Sequence, residues 1–222
     1  MKIIDAHSHI DYITHKIQPN VVGTICCAKN ESEWNLMCNM INTDNNIYGA
    51  FGIHPWFLSD VKNDFESDLK YLLALNSGYM IGEIGLDKYK PNMDKQSDVF
   101  IKQLDIAVNF KRTVFLHCVG AWDKILHLFK QYKKSELPLI VVHGFNDSEN
   151  ILKNLLENYN VMFSVSNIKY INMIPDDKIL VETDAKQNVI LSELVNKISD
   201  IKHNANMCEI IYENTLKVIN NG

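Results

Sequence analysis

Three things are scarce in this chain of 222 residues: basic charge, paired cysteines and long apolar stretches. Acidic residues outnumber basic ones by 27 to 22, a net charge of −5, so nothing draws the whole molecule to a polyanion. An anionic substrate must be held by a local patch or by bound metal. The five cysteines (Cys26, Cys27, Cys38, Cys118, Cys208) are odd in number and have no CxxC spacing. That excludes a disulfide framework and a cysteine-rich structural zinc site, and it fits reduced, mostly buried thiols. No apolar stretch reaches membrane-spanning length, and the N-terminus shows no basic region followed by an apolar run and a cleavage site. The expectation is a cytoplasmic protein. With no linker, charge block, low-complexity tract or internal repeat, residues 1–222 form a single domain.

What is present is alternation. Apolar runs of strand length lie at 2–7, 21–28, 47–53, 79–85, 113–118, 139–143, 161–165 and 179–183. They are continuous, as in Leu139-Ile140-Val141-Val142, the pattern of parallel strands covered on both faces. Amphipathic segments separate them, clearest at 94–110 and 147–158, the latter opened by Asp147-Ser148-Glu149. Ser192-Glu193-Leu194 is a weaker helix start, and 206–220 has the apolar spacing of a closing helix. Eight strands, each followed by a helix or short connector, predict a (β/α)8 TIM-type barrel. The segment 167–177 is too short and mixed for a helix, so the barrel is expected to be irregular near strand seven.

In such barrels the active site lies at the carboxyl ends of the strands. Those ends carry His7 and His9 (strand one), His54 (three), Glu83 (four), His117 (five), His143 (six) and Asp184 (eight). In Asp5-Ala6-His7-Ser8-His9, residues i and i+2 of an extended strand point the same way, about 6–7 Å apart, so two imidazoles face one cation. Five of the eight histidines stand at strand ends; His15, His127 and His203 fall in loop or helix positions and are expected at the surface. Four imidazoles and two carboxylates exceed what one zinc-like ion needs. They suit two divalent cations (Mg, Mn or Zn) about 3.5–4 Å apart, bridged by a carboxylate and activating a water.

These strings resemble, in order, the TatD-like metal-dependent deoxyribonucleases of the amidohydrolase-like superfamily. The resemblance is carried by Asp5-Ala6-His7-Ser8-His9, Gly52-Ile53-His54-Pro55, Gly82-Glu83-Ile84-Gly85-Leu86-Asp87, Leu116-His117, Val142-His143-Gly144-Phe145 and Glu182-Thr183-Asp184, ending in Glu213-Asn214-Thr215. It implies that His7, His9 and Asp184 bind one cation, that His117 and His143 bind the other, and that Glu83 bridges both. Asp184 and Glu83 are then the catalytic pair, with Asp184 orienting or deprotonating the attacking water. His54 lies near the substrate phosphate. DNA, or a small phosphodiester, is the implied substrate. The chain departs from the family pattern in three ways: Val119 stands where an arginine is common two residues after the fifth-strand histidine, Ala185-Lys186-Gln187-Asn188 replaces a proline-containing loop, and the chain is shorter than most members.

Several other residues have two readings. Trp56, as a substrate-binding residue, and Phe57 could stack on a base or merely cap a loop; Tyr89 and Trp122 have similar positions. Lys88, Lys90 and Arg112 are either phosphate contacts near strands four and five or a solvated basic face. Asp87 either anchors its loop or supports a ligand histidine. Cys118 points away from His117, toward the helices. The competing reaction is hydrolysis of a C–N or ester bond. Many enzymes of that kind bridge their metals with a carboxylated lysine on strand four, where this chain has Glu83.

Overall fold

The computed structural model describes residues 1–222 except Asp60, Asn63 and Gly222. The apolar runs become eight strands: β1 (Ile3–Ser8), β2 (Val21–Cys27), β3 (Ile47–Phe51), β4 (Met80–Asp87), β5 (Val114–Val119), β6 (Ile140–His143), β7 (Val161–Val165) and β8 (Ile179–Val181). Each pairs in parallel with the next in the chain. The Asp184 backbone N–H donates to the His7 carbonyl at 3.0 Å, so the first and last strands meet and the barrel is nearly closed. Outside the strands lie α1 (Glu31–Thr43), α2 (Phe65–Leu75), α3 (Met93–Phe110), α4 (Trp122–Phe129), α5 (Glu149–Asn158), α6 (Leu191–Lys202) and α7 (Met207–Asn220). The Ser148 side chain caps α5 by accepting from the Ile151 N–H.

The expected irregularity after β7 is there: only a 3-10 turn, Asp176–Lys178, precedes β8. A second one was not foreseen. The connection from β1 to β2 also has a single 3-10 turn, Thr14–Lys16, in place of a helix. His15 sits on that turn and is not the surface residue expected. Its ring is largely buried, with Nδ1 3.1 Å from the Thr24 hydroxyl and Nε2 3.0 Å from Asp44. His127 and His203 are exposed.

Two cores follow from the alternation of side chains. Ile4, Ala6, Ile25, Ala50, Phe115, Val141 and Leu180 fill the barrel interior, and Val218 of α7 packs with them. Their sequence neighbours pack outward against the helices. Strict alternation from Ala6 would send His7 outward too. It does not, because β1 carries one extra residue: Asp5 pairs with Thr24 but Ser8 with Cys26, three steps against two. β4 repeats the device, with Ile81 opposite Val114 and Ile84 opposite Leu116. Such bulges re-aim side chains. Here one turns His7 and His9, and the other turns Glu83, into the mouth of the barrel. Glu83 is therefore a mid-strand residue of β4, not the strand-end residue read from sequence. Gly85 permits the close approach this needs, since a Cβ there would lie 1.8 Å from the His117 carbonyl oxygen.

α7 is fastened by Asn214, buried, whose amide donates to the carbonyls of Asp176 (2.8 Å) and Ile179 (3.0 Å). Replacing it with leucine should cost about 1–3 kcal/mol, because buried acceptors lose their donor. A urea midpoint unchanged for Asn214→Leu would show that this clasp adds nothing.

Asp44 generates an acid-limb expectation. Partial burial would raise its pKa, but the Asn46 N–H, His15 and Lys16 outweigh that and hold it at about 2, below the ordinary 3.8. A carboxyl depressed in the folded state contributes stability above its unfolded pKa, and this is lost as pH falls through the folded one. Asp44→Asn should therefore flatten the decline in stability between those two values. Superimposable acid-unfolding curves would count against it.

Candidate metal centre

The site is organised around one carboxylate. Glu83 is almost wholly buried and presents its two oxygens to two sets of imidazoles. Oε2 lies 3.3 Å from His7 Nε2 and 3.5 Å from His9 Nε2. Oε1 lies 2.7 Å from His117 Nδ1, 2.9 Å from His143 Nε2 and 3.0 Å from His54 Nε2. Asp184 completes the first set, its Oδ1 3.6 Å from His7 and 3.8 Å from His9. His143 also stands with His7 and Asp184, linking the two sets. Every residue expected at the centre is brought into one cluster at the carboxyl ends of the strands.

Which of these can hold a cation is decided by the far nitrogen of each ring. A neutral imidazole carries one proton, and the nitrogen without it is the ligand. His9 Nδ1 is 2.9 Å from the Cys27 carbonyl, which can only accept, so the proton sits there and Nε2 is free. His143 Nδ1 faces Glu182 Oε1 at 3.6 Å, and His117 Nε2 faces Asp87 Oδ2 at 3.7 Å. Both separations exceed a hydrogen bond, so the two carboxylates place negative charge beside these rings without fixing their tautomers. His54 is the opposite case. By distance it too groups with Glu83 and His117, yet its Nδ1 accepts the Trp56 backbone N–H at 3.1 Å. The proton must then lie on Nε2, which makes His54 a donor into the site.

The donor set fits divalent metal. Ligands at 2.0–2.1 Å around a tetrahedral ion lie roughly 3.3 Å apart, and His117 Nδ1 is 3.2 Å from His143 Nε2. Both nitrogens of the buried His7 lack a hydrogen-bond partner within the protein, an arrangement that is costly unless something else binds them. Burial lowers the pKa of His9 and His54, favouring the neutral ring. For Glu83 burial would raise the pKa, but the surrounding imidazoles push it well below the usual range, so the carboxylate is charged. Burial likewise works against Asp184, and His7, His143 and Lys186 overcome it. His143 runs the other way: burial would lower it, and Glu83 and Glu182 carry it well up.

Three supporting carboxylates complete the centre. Asp5, fully buried, accepts from the His7 N–H, the Thr183 N–H and hydroxyl, and the Thr14 hydroxyl. It thereby ties a ligand of β1 to the residue preceding Asp184. Asp87 anchors its loop, accepting from the Tyr89 N–H at 2.9 Å, while its other oxygen accepts from Trp56 and lies 3.7 Å from His117, beyond a hydrogen bond. Glu182 had been only part of a string. Buried completely, it accepts from the Gly144 N–H at 3.0 Å and faces His143. Its place in the Glu182-Thr183-Asp184 string, immediately after β8, was the available signal.

Around the mouth the readings divide. Trp56 is half exposed, and its indole N–H donates to Asp87 at 2.7 Å. Tyr89 and Phe57 are also exposed, but Trp122 is buried against Phe145 and offers no platform. Cys118 packs among the outer apolar residues as expected, and burial pushes its thiol well up. Arg112 is not a phosphate contact: it precedes β5, at the opposite end of the barrel, and donates to the Ser77 and Leu73 carbonyls. Lys186 holds the other oxygen of Asp184 at 2.6 Å.

The fold and the cluster define a (β/α)8 barrel with a candidate metal centre of imidazoles and carboxylates at its carboxyl end. Within that class, the model of the family described as "TatD related DNase" matches residues 4–220, and the chain belongs to this family. It is 30% identical over 154 residues to the human "3'-5' RNA nuclease TATDN2", covering 63% of this chain and 20% of that one. A "3'-5' ssDNA/RNA exonuclease TatD" of Rahnella is 31% identical over 154 residues, covering 62% of this chain and 57% of the relative. The chain thus spans from a fifth to just over half of those two proteins. An "uncharacterized metal-dependent hydrolase" of Buchnera aphidicola is 23% identical, over 83% of this chain and 78% of its own. Among solved structures, the Escherichia coli TatD homologue YjjV superposes with a TM-score of 0.84 at 20% identity, covering 98% of each chain, a likeness of fold.

Two substitutions separate the roles at the centre. Glu83→Gln should fold but hold less metal, because a neutral amide cannot supply the charge shared by both imidazole sets. His54→Gln should keep the wild-type metal content. Elemental analysis reads both, and equal metal loss in the two variants would overturn the tautomer assignment.

Proposed function

We propose that the chain is a divalent-metal-dependent phosphodiesterase acting on DNA or RNA. One observation carries this: the buried Glu83 carboxylate turns a separate oxygen to each of two imidazole sets. In this reading His7, His9 and Asp184 hold one cation, His117 and His143 the other, and Glu83 both. Held by these residues, divalent cations would supply an acidified water and positive charge against the anionic transition state. The remaining steps belong to the side chains. Asp184 Oδ1, on a partly buried side chain that is kept ionised, orients the attacking water and accepts its proton. Lys186 holds Oδ2 so that Oδ1 keeps that aim. His54, with its proton on Nε2, donates to a phosphate oxygen, and Trp56 walls the mouth beside it. The names of the relatives, an RNA nuclease and an ssDNA/RNA exonuclease, support the substrate class.

Purified protein loaded with magnesium, manganese or zinc should hydrolyse bis(p-nitrophenyl) phosphate and an end-labelled oligonucleotide, and leave a cyclic amide intact. Amide hydrolysis without phosphodiester cleavage would replace the reading with an amidohydrolase one.

Val119 lies 37% exposed at the end of β5, where an arginine side chain would reach the mouth. One charged hydrogen bond to phosphate contributes about 1.5–3 kcal/mol, roughly tenfold or more in affinity. Val119→Arg should therefore tighten oligonucleotide binding and steepen its salt dependence by about 0.7 for one more neutralised single-strand phosphate. Equal affinities at two salt concentrations would show that the position does not face the strand.

A further inference from the structure

The loop after β4 carries two lysines that the centre does not use. Lys88, Tyr89 and Lys90 are exposed at the mouth immediately beyond Asp87. Lys90 Nζ lies 4.1 Å from the centre of the Trp56 ring, and Lys88 Nζ lies 5.2 Å from that of Tyr89. Trp56 is itself fixed, by its hydrogen bond to Asp87 and by edge contacts to His54 (5.1 Å) and His117 (6.0 Å). The Lys88 N–H donates to the Val119 carbonyl at 3.0 Å. Its stem runs over Gly120, where a Cβ would lie 2.7 Å from Lys88 Cδ and Cε. Lys88 thus lies along Val119, the position that lacks the family's arginine.

Two other lysines of the mouth are neutralised, Lys186 by Asp184 and Lys29 by Asp11 and Glu33, whereas Lys169, beyond β7, donates to the Asn146 amide oxygen and lies over Tyr170. Among the described residues neither Lys88 nor Lys90 has a carboxylate within ion-pair distance. An aromatic face restrains an ammonium without cancelling its charge, so both cations are positioned and available. The chain's single arginine is committed at the other end of the barrel. Two placed cations in a chain of net charge −5, beside a phosphodiesterase centre, complement a strand of phosphates.

We infer that Lys88 and Lys90, held by Tyr89 and Trp56, form a subsite for the backbone phosphates of single-stranded nucleic acid flanking the bond to be cut. This rests on the phosphodiesterase reading and locates the grip that the loss of the arginine at 119 requires. The test uses the full chain, fluorescein-labelled single-stranded DNA and RNA octamers, and anisotropy at several salt concentrations. The double variant Lys88→Ala, Lys90→Ala should bind at least tenfold more weakly. The slope of log affinity against log salt should fall by about 1.4, since each single-strand phosphate accounts for roughly 0.7. In oligonucleotide hydrolysis the loss should fall on KM more than on kcat, and it should exceed the loss on the small diester. Lys88→Arg with Lys90→Arg should restore binding, and circular dichroism checks the fold. If the wild type cleaves octamers and the alanine pair matches it in affinity and salt slope, the subsite is wrong and the phosphodiesterase stands. If the wild type cleaves the small diester yet neither binds nor cleaves either octamer, the nucleic-acid reading falls and takes the subsite with it.

Discussion

A buried carboxylate surrounded by five imidazoles is the constraint on which the rest of this molecule depends. An isolated ionised group inside a protein is costly by several kcal/mol, and it persists only where partners meet it on every side. Glu83 is shut off from bulk solvent, so the barrel must bring imidazoles from β1, β5, β6 and the chain beyond β3 to within 3.5 Å of one residue of β4. The supporting carboxylates answer the next requirement. Asp87 and Glu182 stand beside the outer nitrogens of His117 and His143 and surround the imidazole cluster with further negative charge.

The two extra residues, in β1 and β4, follow from the same demand. A barrel interior filled by Ile4, Ala6, Met80 and Phe115 fixes the parity of each strand, and that parity is wrong for His7 and Glu83. An inserted residue corrects it without disturbing the apolar layers below. The packed floor and the polar mouth are therefore separate solutions joined at a shift of register, with α7 sealing the opposite end.

Much of this was legible in the chain. Continuous apolar runs gave the strand count, and strand-end histidines marked the mouth, because both signals depend on local alternation. Strand bounds were less visible: β4 continues to Asp87 and β8 stops at Val181, since pairing with neighbours, not hydrophobicity, ends a strand. His15 was misjudged because its burial comes from Thr24 and Asp44, distant in sequence. The donor role of His54 could not be read from residue types, because it turns on which atom meets the backbone N–H of Trp56. Arg112 was misplaced for a simpler reason, as it begins a strand whose other end carries the site.

The seam between β1 and β8 has a further consequence. It is held by the Asp184 N–H to the His7 carbonyl, and those same two residues turn their side chains to one point. An ion bound there would fasten position 7 to position 184, so that most of the polypeptide becomes a loop with a closed buckle. Closing so long a loop carries a large entropic cost in the unfolded chain. Occupancy of the centre would then determine how readily the two edges of the sheet part, and the reactive site would double as the latch of the barrel.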